Sequence, residues 1–170
     1  MRKLQWSISH AVFVPEVDDE HKEIFEVVAE LQGLLDSGGE KTGIERATGR
    51  LASRMAEHFA HEERLMRAAR YESLPWHKHR HDAALQQAAA FIGRMERGDP
   101  QAGRELIEYV TEWLHDHTRV ADRMMGAALR NHRRRMCKVT FQAGTKPLEA
   151  CNWVDSKGEP FAPKTDCGKR

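Results

Sequence analysis

The sequence predicts an all-α protein, an up-down-up-down four-helix bundle with an irregular N-terminal arm and a separate C-terminal extension. Two observations predict this fold. Apolar residues recur at three- and four-residue spacing in four long segments, and glycine or proline residues separate these segments. A chain of 170 residues is also long enough to bury a core of its own without disulfide bonds. Long helices joined by short connections pack as an antiparallel bundle.

The first two helices are defined by their apolar positions and by the residues at their ends. The first is predicted to begin near Asp18, a good N-cap residue, and to end at Gly38-Gly39. Its apolar side carries Ile24, Phe25, Val28, Leu31 and Leu35. The second is predicted from about Glu40 to Arg70, and its apolar side carries Ile44, Leu51, Met55, Phe59, Leu65 and Met66.

The third and fourth helices both open with a proline in the first turn, where its missing N–H costs nothing. The third is predicted from Leu74-Pro75 to about Gly98. The fourth is predicted from Asp99-Pro100 to about Asn131, with an apolar stripe of Leu106, Val110, Trp113, Leu114 and Val120.

Two segments lie outside the predicted helices. Residues 1–17 are expected to form the arm, anchored on the bundle by Trp6 and by residues 12–14. The extension, residues 132–170, contains all three cysteines, Cys137, Cys151 and Cys167. Its alternation of apolar and polar residues from Cys137 to Gln142 indicates a strand. We therefore expect two parts, a bundle at 1–131 and an extension at 132–170.

The charge of the chain is distributed unevenly between these parts. The formal net charge of +1 is the sum of −4 in residues 1–131 and +5 in residues 132–170. The acidic bundle is not the surface of a nucleic-acid-binding protein, because phosphate binding needs an excess of Lys and Arg. The sequence also has no apolar run that could span a membrane and no secretory signal. We expect a cytoplasmic protein without nucleic-acid or membrane partners.

Seven histidine and acidic residues are spaced along the predicted helices so that their side chains can bind metal ions. Side chains four residues apart lie on one face of a helix and can hold the same ion. Such pairs occur on the second and third helices, a His–Asp pair five residues apart occurs on the fourth, and the first offers one histidine. The set is His21, His58, Glu62, His77, His81, His117 and Asp122. The remaining histidines, His10, His61, His79, His115 and His132, do not fit the pattern.

These seven groups predict a metal site with more than one ion. Five imidazoles and two carboxylates exceed the coordination of a single ion, and carboxylates can bridge two. Imidazole and carboxylate without thiolate favour iron, manganese, zinc or cobalt, and the spacing does not distinguish among these metals.

The order of these groups resembles the hemerythrin family, particularly single-domain bacteriohemerythrins. The motifs D-x-x-H, H-x-x-x-E, H-x-x-x-H and H-x-x-x-x-D appear as Asp18–His21, His58–Glu62, His77–His81 and His117–Asp122. Further matching residues are Trp6, His21-Lys22 with Phe25, HFAHEERLM at 58–66, and Trp113-Leu114. The resemblance covers about residues 6–130, so the extension is not part of it.

The resemblance implies a centre of two non-haem iron ions that binds dioxygen reversibly. It implies that His77, His81 and His117 hold one iron, and that His21 and His58 hold the other. Glu62 and Asp122, with an oxo or hydroxo group, would bridge the two ions. The iron with two imidazoles would keep an open position for dioxygen.

Two details of the fourth helix carry their own predictions. Side chains five residues apart on an ideal helix point about 140° away from each other. For both His117 and Asp122 to face the metal site, the helix is expected to widen locally between them, as π-bulges do. The family usually has an aliphatic residue after the last of these histidines, whereas this chain has Thr118. If its hydroxyl faces the oxygen pocket, autoxidation should be faster than with isoleucine.

Three functions remain open from the sequence. The favoured one is a non-enzymatic oxygen-binding module for carriage, storage or delivery. A di-iron oxidase or peroxidase is less favoured, because oxygen-activating bundles use two Glu-x-x-His pairs and two further glutamates. The third is an oxygen, redox or iron sensor that signals through residues 132–170 to an unknown partner.

Overall fold

In the computed structural model the described part of the chain is residues 4–142, with side chains described for residues 4–136. The predicted all-α class is confirmed, and these residues contain no strand. The helices are α1 (Pro15–Asp36), α2 (Lys41–Ala68), α3 (Leu74–Glu96), α4 (Ala102–His117) and α5 (Arg123–Gln142). A short 3-10 helix at Ile8–His10 precedes α1, and a π-helical turn at Thr118–Asp122 joins α4 to α5. None of the described helices has the length and apolar character needed to cross a membrane.

The first four helices surround one apolar core. Each helix packs against the next in sequence, and α1 also packs against α4, so the four form a closed ring. Most residues of the stripes predicted from sequence supply the core, which includes Ile24, Phe25, Val28, Leu31, Leu51, Met55, Phe59, Leu106, Val110 and Leu114. The prediction that places Val120 on the fourth stripe is wrong, because the π-helical turn shifts it out of register and it is exposed. The chain divides into two units, residues 1–129 and 130–170, and this core lies in the first.

Helix α1 begins three residues earlier than the predicted start at Asp18. Pro15 occupies the first turn, where its fixed φ suits a helix. Asp18 lies inside the helix instead of capping it, and its Oδ1 accepts a hydrogen bond from the Val12 amide at 2.8 Å. The predicted end is confirmed, because α1 ends at Asp36 and Gly38, after the C-cap residue Ser37, adopts a φ of +66°, a conformation that glycine adopts without strain.

The fourth predicted segment is not one continuous α-helix. Asp99 does not cap α4 directly, since the helix starts at Ala102, but its Oδ1 accepts a hydrogen bond from the Gln101 amide at 3.0 Å. The predicted local widening is confirmed by the π-helical turn at Thr118–Asp122.

The strand predicted at Cys137–Gln142 is wrong, because these residues lie in the last turns of α5. A stretch of six residues that alternate between apolar and polar can also continue an existing helix. No glycine or proline interrupts the chain between Gly126 and Gly144, so nothing in the sequence ends the helix earlier. The three cysteine side chains lie outside the described side chains.

The N-terminal arm packs on the bundle through the residues that the sequence suggested. Val12 and Val14 are buried, and Trp6 packs against the core with the Lys22 ammonium 5.0 Å from its ring centroid. The Arg123 guanidinium donates hydrogen bonds to the carbonyl oxygens of Ser9 at 3.0 Å and Ala11 at 3.4 Å. These contacts hold the arm near the π-helical turn.

Candidate metal centre

The structure brings all seven side chains selected from sequence into the interior of the bundle. Each is at most 2% exposed. They form two sets, and within each set the potential ligand atoms lie within 4.8 Å of one another. One set contains His77, His81 and His117, the other contains His21 and His58, and both contain Glu62 and Asp122.

The Asp122 carboxylate lies between the two sets. Its Oδ1 is 3.2 Å from Nε2 of His77 and 3.0 Å from Nε2 of His117. Its other oxygen, Oδ2, is 3.2 Å from Nε2 of His21. Asp122 therefore directs one oxygen to each set.

The Glu62 carboxylate divides its oxygens in the same way. Oε2 is 3.4 Å from Nε2 of His77 and 3.1 Å from Nε2 of His81. Oε1 faces Nε2 of His58 at 3.7 Å. Two carboxylates shared in this manner have the arrangement required to bridge two cations.

The π-helical turn explains how Asp122 reaches this position. An ideal α-helix would place Asp122 about 140° around the axis from His117, whereas a π-helical turn contains more residues and so reduces that angle. The hydroxyl of the buried Thr118, the first residue of the turn, donates a hydrogen bond to the Leu114 carbonyl oxygen at 2.7 Å. That hydroxyl hydrogen is therefore directed to the backbone and not into the cluster.

The positions of the donor atoms are explained better by bound cations than by hydrogen bonds among the side chains. All four oxygens of Glu62 and Asp122 are buried and accept no hydrogen bond in suitable geometry, although buried polar groups are normally paired. Nε2 of His117 lies 3.1 Å from Nε2 of both His77 and His81. Nitrogens bound at right angles to one cation at about 2.1 Å would also lie about 3 Å apart.

The carboxylates set the charge of the cluster. Burial alone would raise the pKa of Glu62 and Asp122, but the surrounding imidazoles outweigh it and hold both pKa values well below their ordinary range. Burial alone would lower the pKa of His77, but its contacts with Asp122 and Glu62 raise it to about 9. The interior thus carries two ionised carboxylates, which attract cations.

Aromatic rings enclose the three-imidazole set. Phe59 stacks on His81 with ring centroids 4.0 Å apart, and Trp113 stacks on His117 at 4.1 Å. The centroids of Phe59 and Trp113 are 5.1 Å apart. These rings fix the imidazole planes and exclude water from that side of the cluster.

Sequence spacing did not find the residues that contact the outer ring nitrogens. Glu20 accepts a hydrogen bond from Nδ1 of His58 at 2.9 Å, and Nε of Arg80 donates one to Nδ1 of His117 at 3.2 Å. Each of these contacts joins two different helices, so no spacing along the chain reveals it. Of the other histidines, the buried His61 also contacts Glu20, and the buried His10 contacts the exposed His115.

Comparisons with known proteins agree with this geometry. Residues 12–129 match the family model described as the hemerythrin HHE cation binding domain. Hemerythrin of Themiste dyscrita is 30% identical over 117 residues, which cover 69% of this chain and 86% of that protein. Bacteriohemerythrin of Pseudomonas aeruginosa is 27% identical over 144 residues, covering 85% and 93%. The crystal structure of a hemerythrin point mutant aligns with a TM-score of 0.70 at 25% identity, covering 76% of this chain and 98% of that one.

Proposed function

Because this chain belongs to the hemerythrin family, we propose that it binds dioxygen reversibly at a pair of non-haem iron ions. The observation that carries the proposal is the position of the two shared carboxylates. Glu62 and Asp122 each direct one oxygen to the three-imidazole set and one to the two-imidazole set. The two carboxylates would therefore hold a pair of ions jointly.

The proposed ligands follow the two sets. His77, His81 and His117 would hold one iron, and His21 and His58 the other. Glu62 and Asp122 would serve both ions, together with an oxo or hydroxo bridge. Two ferrous ions bring four positive charges, and the two ionised carboxylates offset half of them, so a bridging anion would reduce the charge left in the interior.

Two iron ions bound by these residues would supply one electron each to dioxygen. The chain supplies the enclosure. Phe59 and Trp113 cover the three-imidazole set. Near the other set Phe25, one turn after His21, packs on the buried His10 with ring centroids 4.8 Å apart. An apolar enclosure favours release of dioxygen as such, because water that would promote loss of reduced oxygen is kept out.

The donor set supports binding rather than oxygen activation. Oxygen-activating carboxylate bundles use four glutamates and two histidines, whereas this cluster offers five imidazoles and two carboxylates. We therefore propose a non-enzymatic role in the carriage, storage or delivery of oxygen in the cytoplasm.

The proposal is tested by metal analysis and visible spectroscopy. The purified protein should contain two irons per chain and should gain a charge-transfer band on oxygenation that disappears on degassing and returns with oxygen. His77→Leu should lose iron and the band. The matched change at the exposed His79 on the same helix should keep both. Irreversible oxidation with steady consumption of an added reductant would instead support an enzyme.

A further inference from the structure

One partly buried carboxylate outside the cluster joins two histidines of α2. Glu20 lies on α1, directly before His21. Its Oε2 accepts a hydrogen bond from Nδ1 of His58 at 2.9 Å, and its Oε1 accepts one from Nδ1 of His61 at 2.7 Å. His58 and His61 are three residues apart and share one face of the helix. Their side chains are 2% and 3% exposed, and that of Glu20 is 25% exposed.

The direction of these hydrogen bonds determines which nitrogen of each imidazole ring carries a proton. An ionised carboxylate only accepts hydrogen bonds, so Nδ1 of each ring carries the proton. In the neutral ring the lone pair of His58 is then on Nε2, the nitrogen that faces Glu62 in the cluster.

We propose that Glu20 is a positioning residue that presents the Nε2 lone pair of His58 to the cluster, and that His61 acts through Glu20 by holding its second oxygen. The inference rests on the proposed function only in requiring that the cluster binds metal ions. Carboxylates that hold a metal-binding histidine in this way orient the ring and raise its basicity.

The other four cluster histidines lack this support. Nδ1 of His117 faces the Arg80 guanidinium, and Nδ1 of His81 is 3.8 Å from Glu63. Nδ1 of His21 and Nδ1 of His77 have no hydrogen-bond partner among the described residues. Among the described residues, only His58 of these five has a carboxylate at hydrogen-bond distance from its Nδ1. Glu20 therefore supports the two-imidazole set, and its loss should weaken one metal position and spare the other.

The first test measures metal affinity without oxygen chemistry. Zinc(II) alone is titrated into the metal-free protein in competition with a chromophoric chelator. The wild type should bind two ions, and Glu20→Gln should bind one of them about 10- to 100-fold more weakly. The matched control is Glu23→Gln on the same helix, whose side chain is 54% exposed and pairs with Arg54. The control should bind both ions as the wild type does.

A double-mutant cycle tests the role of His61. His61→Leu should weaken the same zinc position in the wild-type background and should have no further effect on it in Glu20→Gln, because interacting residues give non-additive changes. An equal loss in both backgrounds would show that His61 does not act through Glu20.

The ring state is tested by nitrogen NMR of the zinc-loaded protein. The wild type should show His58 with a proton on Nδ1 protected from exchange with water, and Glu20→Ala should lose that protection. Urea unfolding of the metal-free variants separates a loss of folding from a local effect, and Glu20→Gln carries the test if Glu20→Ala is unfolded.

The inference is overturned if Glu20→Gln binds both zinc ions as tightly as Glu23→Gln, or if the Nδ1 proton of His58 is equally protected without Glu20. A failure of the proposed function would be recognised by a different experimental result. A wild type that binds two zinc ions but no dioxygen would remove the oxygen-binding role and leave the role of Glu20 in place.

Discussion

The raised pKa of His77 predicts how the stability of the chelator-treated protein depends on pH. In the folded chain the pKa is about 9, against 6.5 as the ordinary value. Between these values the folded protein keeps a proton that the unfolded chain has released. The stabilisation is therefore complete below about pH 6.5 and is lost as the pH rises through about 9.

The size of the effect follows from the same two values. A change of one pKa unit corresponds to about 1.4 kcal/mol, so the rise from 6.5 to about 9 gives a loss of about 3 kcal/mol in the free energy of unfolding. His58 adds to the loss, because Glu62 and Glu20 outweigh its burial and raise its pKa as well. His117 does not oppose it in this range, since burial lowers its pKa and its contribution changes below pH 6.5.

The assay is urea unfolding, followed by circular dichroism, of the chelator-treated protein between about pH 6.5 and pH 9. His77→Gln should remove most of the pH dependence. The matched control, His79→Gln, changes an exposed imidazole on the same helix and should keep it. If His77→Gln and the wild type show the same dependence, the carboxylates do not hold a proton on His77 and the reasoning is refuted.

Three further predictions concern the cluster and the extension. Glu62→Gln removes one shared negative charge and should weaken metal binding more than about tenfold; undiminished affinity in chelator competition would contradict its bridging position. Thr118→Ile should leave the autoxidation rate unchanged, measured as decay of the oxygenated visible band, because the Thr118 hydroxyl donates to the Leu114 carbonyl oxygen and not into the cluster. A slower decay in the variant would contradict this. Deletion of residues 132–170 should leave iron content, oxygen affinity and oligomeric state unchanged, and a change in any of them would support the sensor hypothesis.

Local patterns in the sequence predict most of the bundle. Periodic apolar residues and the glycines after α1 and α3 place the helices, and the structure shows Gly38 and Gly98 with positive φ. The start of α1 was not predictable from Asp18 alone, because Asp18 uses its carboxylate to bind the arm at Val12. The strand expected after Cys137 failed because a short alternation cannot outweigh the continuation of α5.

The cluster could be predicted from sequence because helical spacing encodes it. The five-residue step from His117 to Asp122 even predicts the π-helical turn. The residues that hydrogen-bond to the outer nitrogens of the imidazoles could not be predicted in this way. Glu20 and Arg80 contact imidazoles on other helices, and such partners are set by how the helices pack.

The amounts of dioxygen bound and released distinguish reversible binding from oxidation of the iron pair. Reduced, iron-loaded protein is exposed to a known amount of dioxygen and then degassed, and the gas taken up and released is measured together with hydrogen peroxide. We expect one dioxygen to bind per pair of irons and the same amount to be released on degassing, without peroxide. Uptake without release, or release as peroxide, would contradict reversible binding at this cluster.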